Sequence, residues 1–190
     1  MTAPLLLPFP APPRAVRTAF DHLRQAEDAG LEPAGLQLLD RPWDPAGCAP
    51  RVRAQLWPWL DDVAGWLNGT HAWQTASAIP SCWPAHPHLV AELAVLACLR
   101  VVAGDAPTPH ALEEWHRYAL PGFTTRMADR LGIGCPPGRH LDWPARSWAA
   151  AHDSAESAQA RRDLFDGDTG HGRSAAAAGP SARPLRGATP

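Results

Sequence analysis

The side chains in this 190-residue chain best suited to hold a metal ion are Cys82, His86, Cys135 and His140, with His88 close by in sequence. Thiolate and imidazole are the ligands that Zn2+ prefers, and four of them complete a closed structural site. Cys82-x3-His86 and Cys135-x4-His140 are spacings at which each pair can chelate, although the chain has neither a Cys-x2-Cys nor a His-x3-His element. Zinc on Cys82, His86, Cys135 and His140 is thus an expectation from donor type. The competing reading makes His86 the cap of a helix starting at Pro87, Cys82 and Cys98 small core hydrophobes, and His140 a solvated side chain.

Other chemistry is less complete. Glu113-Glu114-Trp115-His116 contains one Glu-x-x-His element, whereas a carboxylate-bridged di-iron centre needs two such elements and two more inward carboxylates. An ion pair between Glu113 and Arg117, four residues apart on a solvated face, accounts for the same residues, with Trp115 and Tyr118 packing inward. A nucleophile built from Cys82 with His86 or His116 has no evident third group to orient it. The chain contains no lysine, so a P-loop is excluded, and no Gly-x-Ser-x-Gly elbow is present. No catalytic residue and no organic cofactor are expected.

Charge narrows the partners. Residues 57–144 carry five Arg against eight acidic residues, residues 1–56 six of each, and residues 145–190 six Arg against five. A nucleic-acid binder needs a clustered basic face, because phosphate neutralisation supplies much of its affinity. The exclusive use of Arg, with Ile only at 79 and 133 and Asn only at 68, has the look of a GC-rich genome. No segment reads as membrane-spanning, and the Leu5-Leu6-Leu7 run, hemmed in by prolines with no positive charge before it, does not read as a signal peptide. A cytoplasmic protein with reduced thiols at Cys48, Cys82, Cys98 and Cys135 is expected.

The elements that must position these groups read as helices. Val16, Ala19, Phe20, Leu23 and Ala26 form a helical stripe from Arg14 to Ala29, which Gly30 can close. Breakers crowd residues 31–50, which read as a long connector. A helix is expected from near Trp57, with Pro58 in its first turn, to Asn68-Gly69. A second starts at Pro87 and ends by Gly104; it is apolar nearly all round, as suits the centre of a bundle. Thr108-Pro109 opens a third, running to Leu120. Pro121-Gly122 should break or bend it before a last stripe through Phe123, Met127 and Leu131.

The sequence therefore predicts an all-α bundle of about five helices with disordered N- and C-terminal arms. Its parts are a proline-rich arm at 1–13, a helical domain at 14–145 with its core at 57–144, and an Ala/Gly/Pro-rich tail at 146–190, where a short helix from Ser154 to Phe165 can form. Seven of the nine tryptophans lie between Trp57 and Trp143. Trp43, Trp73, Trp143 and Trp148 fall in loops, either as lids on the core or as interface anchors.

The run Cys82-Trp83-Pro84-Ala85-His86-Pro87-His88-Leu89-Val90, with Ala91-Glu92-Leu93 and Glu114-Trp115-His116, resembles uncharacterised small helical proteins of actinobacteria, some carried on plasmids or integrative elements. The resemblance covers about residues 57–144. It implies a genomic setting and no mechanism.

Taken together, the expected function is that of a non-catalytic accessory protein that binds a macromolecule, with a protein as the expected partner. The alternatives are a DNA-associated factor of a mobile element, using Arg14, Arg17 and Arg24 or Arg161-Arg162, and a zinc-dependent enzyme or zinc-stabilised domain.

Overall fold

The structure is a computed structural model that describes residues 6–30, 35, 38–131, 135, 139–141 and 146–177. Among these, every regular element is helical, so the chain is all-α. It divides into two units, residues 1–141 and 142–190.

In the first unit, α1 (Arg14–Asp28) buries Val16, Ala19 and Phe20, the start of the predicted stripe. Gly30, at φ 64°, closes it in the left-handed region, its N–H donating to the Glu27 carbonyl at 2.9 Å.

The next helix, α2, spans Pro50–Thr70, seven residues earlier than the expected start at Trp57. Pro50 ends the run of breakers by taking the first helical position, where a missing N–H costs nothing. The Asp40 carboxylate accepts the Ala49 N–H at 2.6 Å just ahead of it. Pro58 consequently sits inside the helix, but on its exposed face, so the Ala54 carbonyl that loses a partner can be hydrated. The opposite face buries Val52, Leu56, Trp59, Leu60, Val63 and Leu67.

At the centre lies α3 (Pro87–Asp105), packed by α2 on one side and by the later helices on the other. Leu93, Ala94 and Ala97 are fully buried, and the alanines let neighbouring backbones approach closely. At 19 residues, α3 is long and apolar enough to cross a bilayer, contrary to the expectation that no segment would be. Its packed inner face is that of a bundle's core helix. Glu92 on it pairs with Arg126 and Arg130 of the last helix of the unit.

Helix α4 (His110–Glu114) runs without a break through a wider π turn at Trp115–Ala119 into α5 (Leu120–Leu131). Pro121-Gly122 is expected to break or bend the helix. The helix continues through it, and the π turn ends at Ala119, two residues ahead of Pro121, absorbing the residue that has no N–H to give. The wider turn also rotates the helical faces around it. Trp115 is buried, but Tyr118, expected inward, is 65% exposed. Phe123 and Met127 return to the core.

Residues 6–13 are irregular and extended, as suits a proline-rich segment, and they are held by α2. Phe9 sits edge-on to Trp59 and Trp66, at 6.4 and 5.1 Å between ring centroids. Those indoles donate their N–H groups to the Pro10 carbonyl at 2.9 Å and the Leu7 carbonyl at 3.0 Å. Arg100 lies over the Phe9 and Trp115 rings at 5.2 and 5.8 Å. Residues 1–5 lie outside the described residues, as does most of the 31–37 stretch.

The second unit contains α6 (Arg146–His152) and α7 (Ala155–Ala177). The Ser154 hydroxyl accepts the Ser157 N–H at 3.2 Å, the cap anticipated from sequence, and the helix continues past Phe165 to Ala177. Local pairs such as Gln159 with Asp163 support a helix whose Leu164 and Phe165 are largely exposed. Residues 178–190 of the expected tail lie outside the described residues.

Candidate metal centre

The site starts from a short turn. Pro80, Pro84 and Pro87 punctuate the approach to α3, and Trp83–Ala85 forms a single 3-10 turn between them. Trp83 anchors it, 3% exposed, with its indole N–H donating to the Asp61 carboxylate at 3.1 Å and its ring beside Trp57. Backbone bonds from Ala85 to the Cys82 carbonyl and from His86 to the Trp83 carbonyl fix the turn's pitch. Cys82 and His86 flank this turn, which brings Cys82 Sγ to 3.4 Å from His86 Nε2.

His86 is the residue before Pro87, but its side chain does not cap α3. It is instead the most buried member of the cluster, 2% exposed, and it faces sulfur on two sides. Cys135, four residues beyond α5, places its Sγ 3.3 Å from the same Nε2. His140 Nδ1 lies 4.0 Å from Cys135 Sγ, and the His86 and His140 rings are 4.7 Å apart. The Leu141 backbone N–H donates to Cys135 Sγ at 3.3 Å, an outer contact of the kind that orients a thiolate ligand.

The ligand atoms of Cys82, His86, Cys135 and His140 all lie within 4.8 Å of one another. With metal–sulfur bonds of about 2.3 Å and metal–nitrogen bonds of about 2.0–2.1 Å, a tetrahedral site sets sulfur and nitrogen roughly 3.5 Å apart and two sulfurs roughly 3.8 Å apart. The observed sulfur–nitrogen separations of 3.3, 3.4 and 4.0 Å bracket that value. Two thiolates also match the charge of a divalent cation. Burial, followed by the adjoining Cys135, pushes the Cys82 thiol up. A cation between the sulfurs opposes both effects, because a coordinating thiol is deprotonated outright.

The sequence singled out these four residues, and the fold brings them together. His88 stands aside: its ring is 5.8 Å from that of His86, and its charged form is disfavoured by burial and then by Arg130, against the pull of Glu92. The Glu-x-x-His element resolves into the anticipated Glu113–Arg117 pair at 3.0 Å, while the His116 ring meets Trp115 edge-on and lies tilted beside His71. Sequence reasoning missed that ring cluster, because His71 lies in a loop with no spacing relation to His116. It also missed Asp61, which is exposed on α2 and accepts the Trp83 indole N–H.

Three of the five arginines offered for DNA contact, Arg17, Arg24 and Arg162, have partners within the protein. Arg17 donates to the Pro12 carbonyl at 2.7 Å, Arg24 lies 3.5 Å from Asp21 and 3.9 Å from Asp105, and Arg162 bonds Gln159. Of the four tryptophans expected in loops, Trp43 leans on Phe20, Trp73 is 91% exposed, and Trp143 lies outside the described residues; Trp148 is not in a loop but on α6, 78% exposed. Cys48 and Cys98 are buried thiols, the latter pushed up to about 12 mainly by burial.

Comparison with protein-family models, curated proteins and solved structures gave no match to the chain.

Proposed function

We propose that this is a zinc-stabilised, non-catalytic helical module of a cytoplasmic accessory protein that acts by binding another protein. The observation that carries the zinc is the convergence of the Cys82, His86, Cys135 and His140 ligand atoms to within 4.8 Å of one another. Four protein ligands leave no coordination position for substrate, which favours a structural centre over a catalytic one. Zinc at this place ties the segment after α5 to the start of α3.

Support for a protein partner comes from the outer face of α3. Val95, Leu99 and Val102 are 42–56% exposed there. A groove of ≈ 440 Å³ lies beside Trp57, Pro84, Val90 and Ala91, and another of ≈ 530 Å³ beside Leu99, Val102, Trp115 and Tyr118. Apolar surface of this kind, rimmed by polar groups, suits a protein interface better than a phosphate backbone. Four free thiols fit a reducing compartment.

Metal analysis of protein purified without chelator tests the zinc: one equivalent per chain is expected, lost in Cys82→Ser and Cys135→Ser and kept in Cys98→Ser. Absence of stoichiometric zinc from the native protein removes the reading. Mobility-shift titration at low and high salt tests the choice of partner, since DNA binding that weakens steeply with salt would put nucleic acid in place of protein.

A further inference from the structure

We propose that Cys82 and Cys135 form an oxidation site at which a peroxide converts the zinc dithiolate to a disulfide and expels the metal; the inference rests on the zinc reading. The two sulfurs lie within 4.8 Å of each other, although their residues are far apart in sequence. Cys82 and Cys135 are only half-buried and His140 beside them is exposed, so a small oxidant has access. Cys48 and Cys98, 4% and 3% exposed, are shielded. Cys135 and residues 139–141 belong to no helix, which leaves backbone free to adjust as the sulfurs close to bonding distance.

The reaction balances with peroxide as the only co-reactant. One thiolate attacks a peroxide oxygen; the O–O bond breaks, leaving a sulfenic acid and hydroxide. The other thiolate then attacks the sulfenic sulfur, forming the S–S bond as the second hydroxide leaves. Two electrons pass from the sulfur pair to the peroxide, and Zn2+ departs unchanged in oxidation state because His86 and His140 alone hold it poorly. The disulfide still ties Cys82 to Cys135, so the unit keeps its cross-link while His140 is released.

The test uses the full, reduced, zinc-loaded chain and hydrogen peroxide at one equivalent. Zinc captured by a chromogenic chelator should rise to one equivalent, while thiols titrated under denaturant fall from four to two. Peptide mapping of the wild-type protein should find the Cys82–Cys135 disulfide, and dithiothreitol with added zinc should restore the starting state. Zinc retained with all thiols intact overturns the proposal, as does oxidation at Cys48 or Cys98 in its place, or zinc loss with sulfinic acids and no disulfide. Protein that binds no zinc at the outset overturns the zinc reading and this inference with it, whereas zinc bound but not released overturns only this inference.

Discussion

Replacing Phe9 by alanine tests whether residues 6–13 belong to the folded unit or merely lie on it. The ring is partly buried, meets Trp59 and Trp66 edge-on and carries Arg100 over its face. Partial burial of a phenyl group contributes about 1–2 kcal/mol. Each edge-on aromatic contact adds about 0.5–1.5 kcal/mol, and the half-buried cation–π contact about 1 kcal/mol. Their sum, discounted for shared atoms, is roughly 3 kcal/mol. Loosening the segment also endangers the Trp59 N–H, on a ring 2% exposed, because loss of its bond to Pro10 would leave a buried donor unsatisfied. For a chain of this length, a loss of about 3 kcal/mol lowers Tm by about 6–12 °C. Urea denaturation followed by tryptophan fluorescence measures the change directly, and Phe9→Leu, which retains bulk without the ring, should recover about half. A loss under about 0.5 kcal/mol with unaltered native fluorescence refutes the coupling.

Charged groups supply two more tests. His71 is lowered below the ordinary imidazole value of about 6.5 by burial first, then by His116 and Arg100. The unfolded chain therefore takes up this proton before the folded one does, so the stability His71 confers is intact above that value and drains away as pH falls through the lower folded pKa. His71→Gln should flatten the acid limb of a stability-versus-pH curve, and an unchanged limb would disprove the assignment. Glu92→Gln, which breaks the pairs with Arg126 and Arg130, should cost about 1 kcal/mol at low salt. The gap between variant and wild type should narrow at high salt in urea titrations.

Where one physical signal dominated, the sequence was readable. The stripe of α1 and the nearly uniform apolarity of α3 each have one interpretation in a helical bundle, and Val16, Phe20, Leu89 and Leu93 are buried accordingly. Proline was ambiguous because its effect depends on place: Pro50 initiates α2 and Pro58 is tolerated on its wet face, an arrangement opposite to the expected one. The π turn left no periodic trace, since one extra residue in a turn is indistinguishable from a break at Pro121. At the candidate metal centre, each Cys/His pair was legible as a short spacing. Their meeting was expected from donor type alone; the geometry that achieves it was not legible, because it depends on how Phe123 and Met127 of α5 pack in the core.

The donors also arrive in two instalments. His86 and Cys135 are separated by 49 residues, an interval of roughly 2–10 s at ordinary elongation rates of about 5–20 residues per second. Through that interval a nascent chain exposes Cys82 and His86 without their counterparts, open to capture by any other thiol or metal nearby. The proposed zinc site can therefore close only after Cys135 and His140 are made, and a chain cut short ahead of Cys135 would carry two of its four proposed donors.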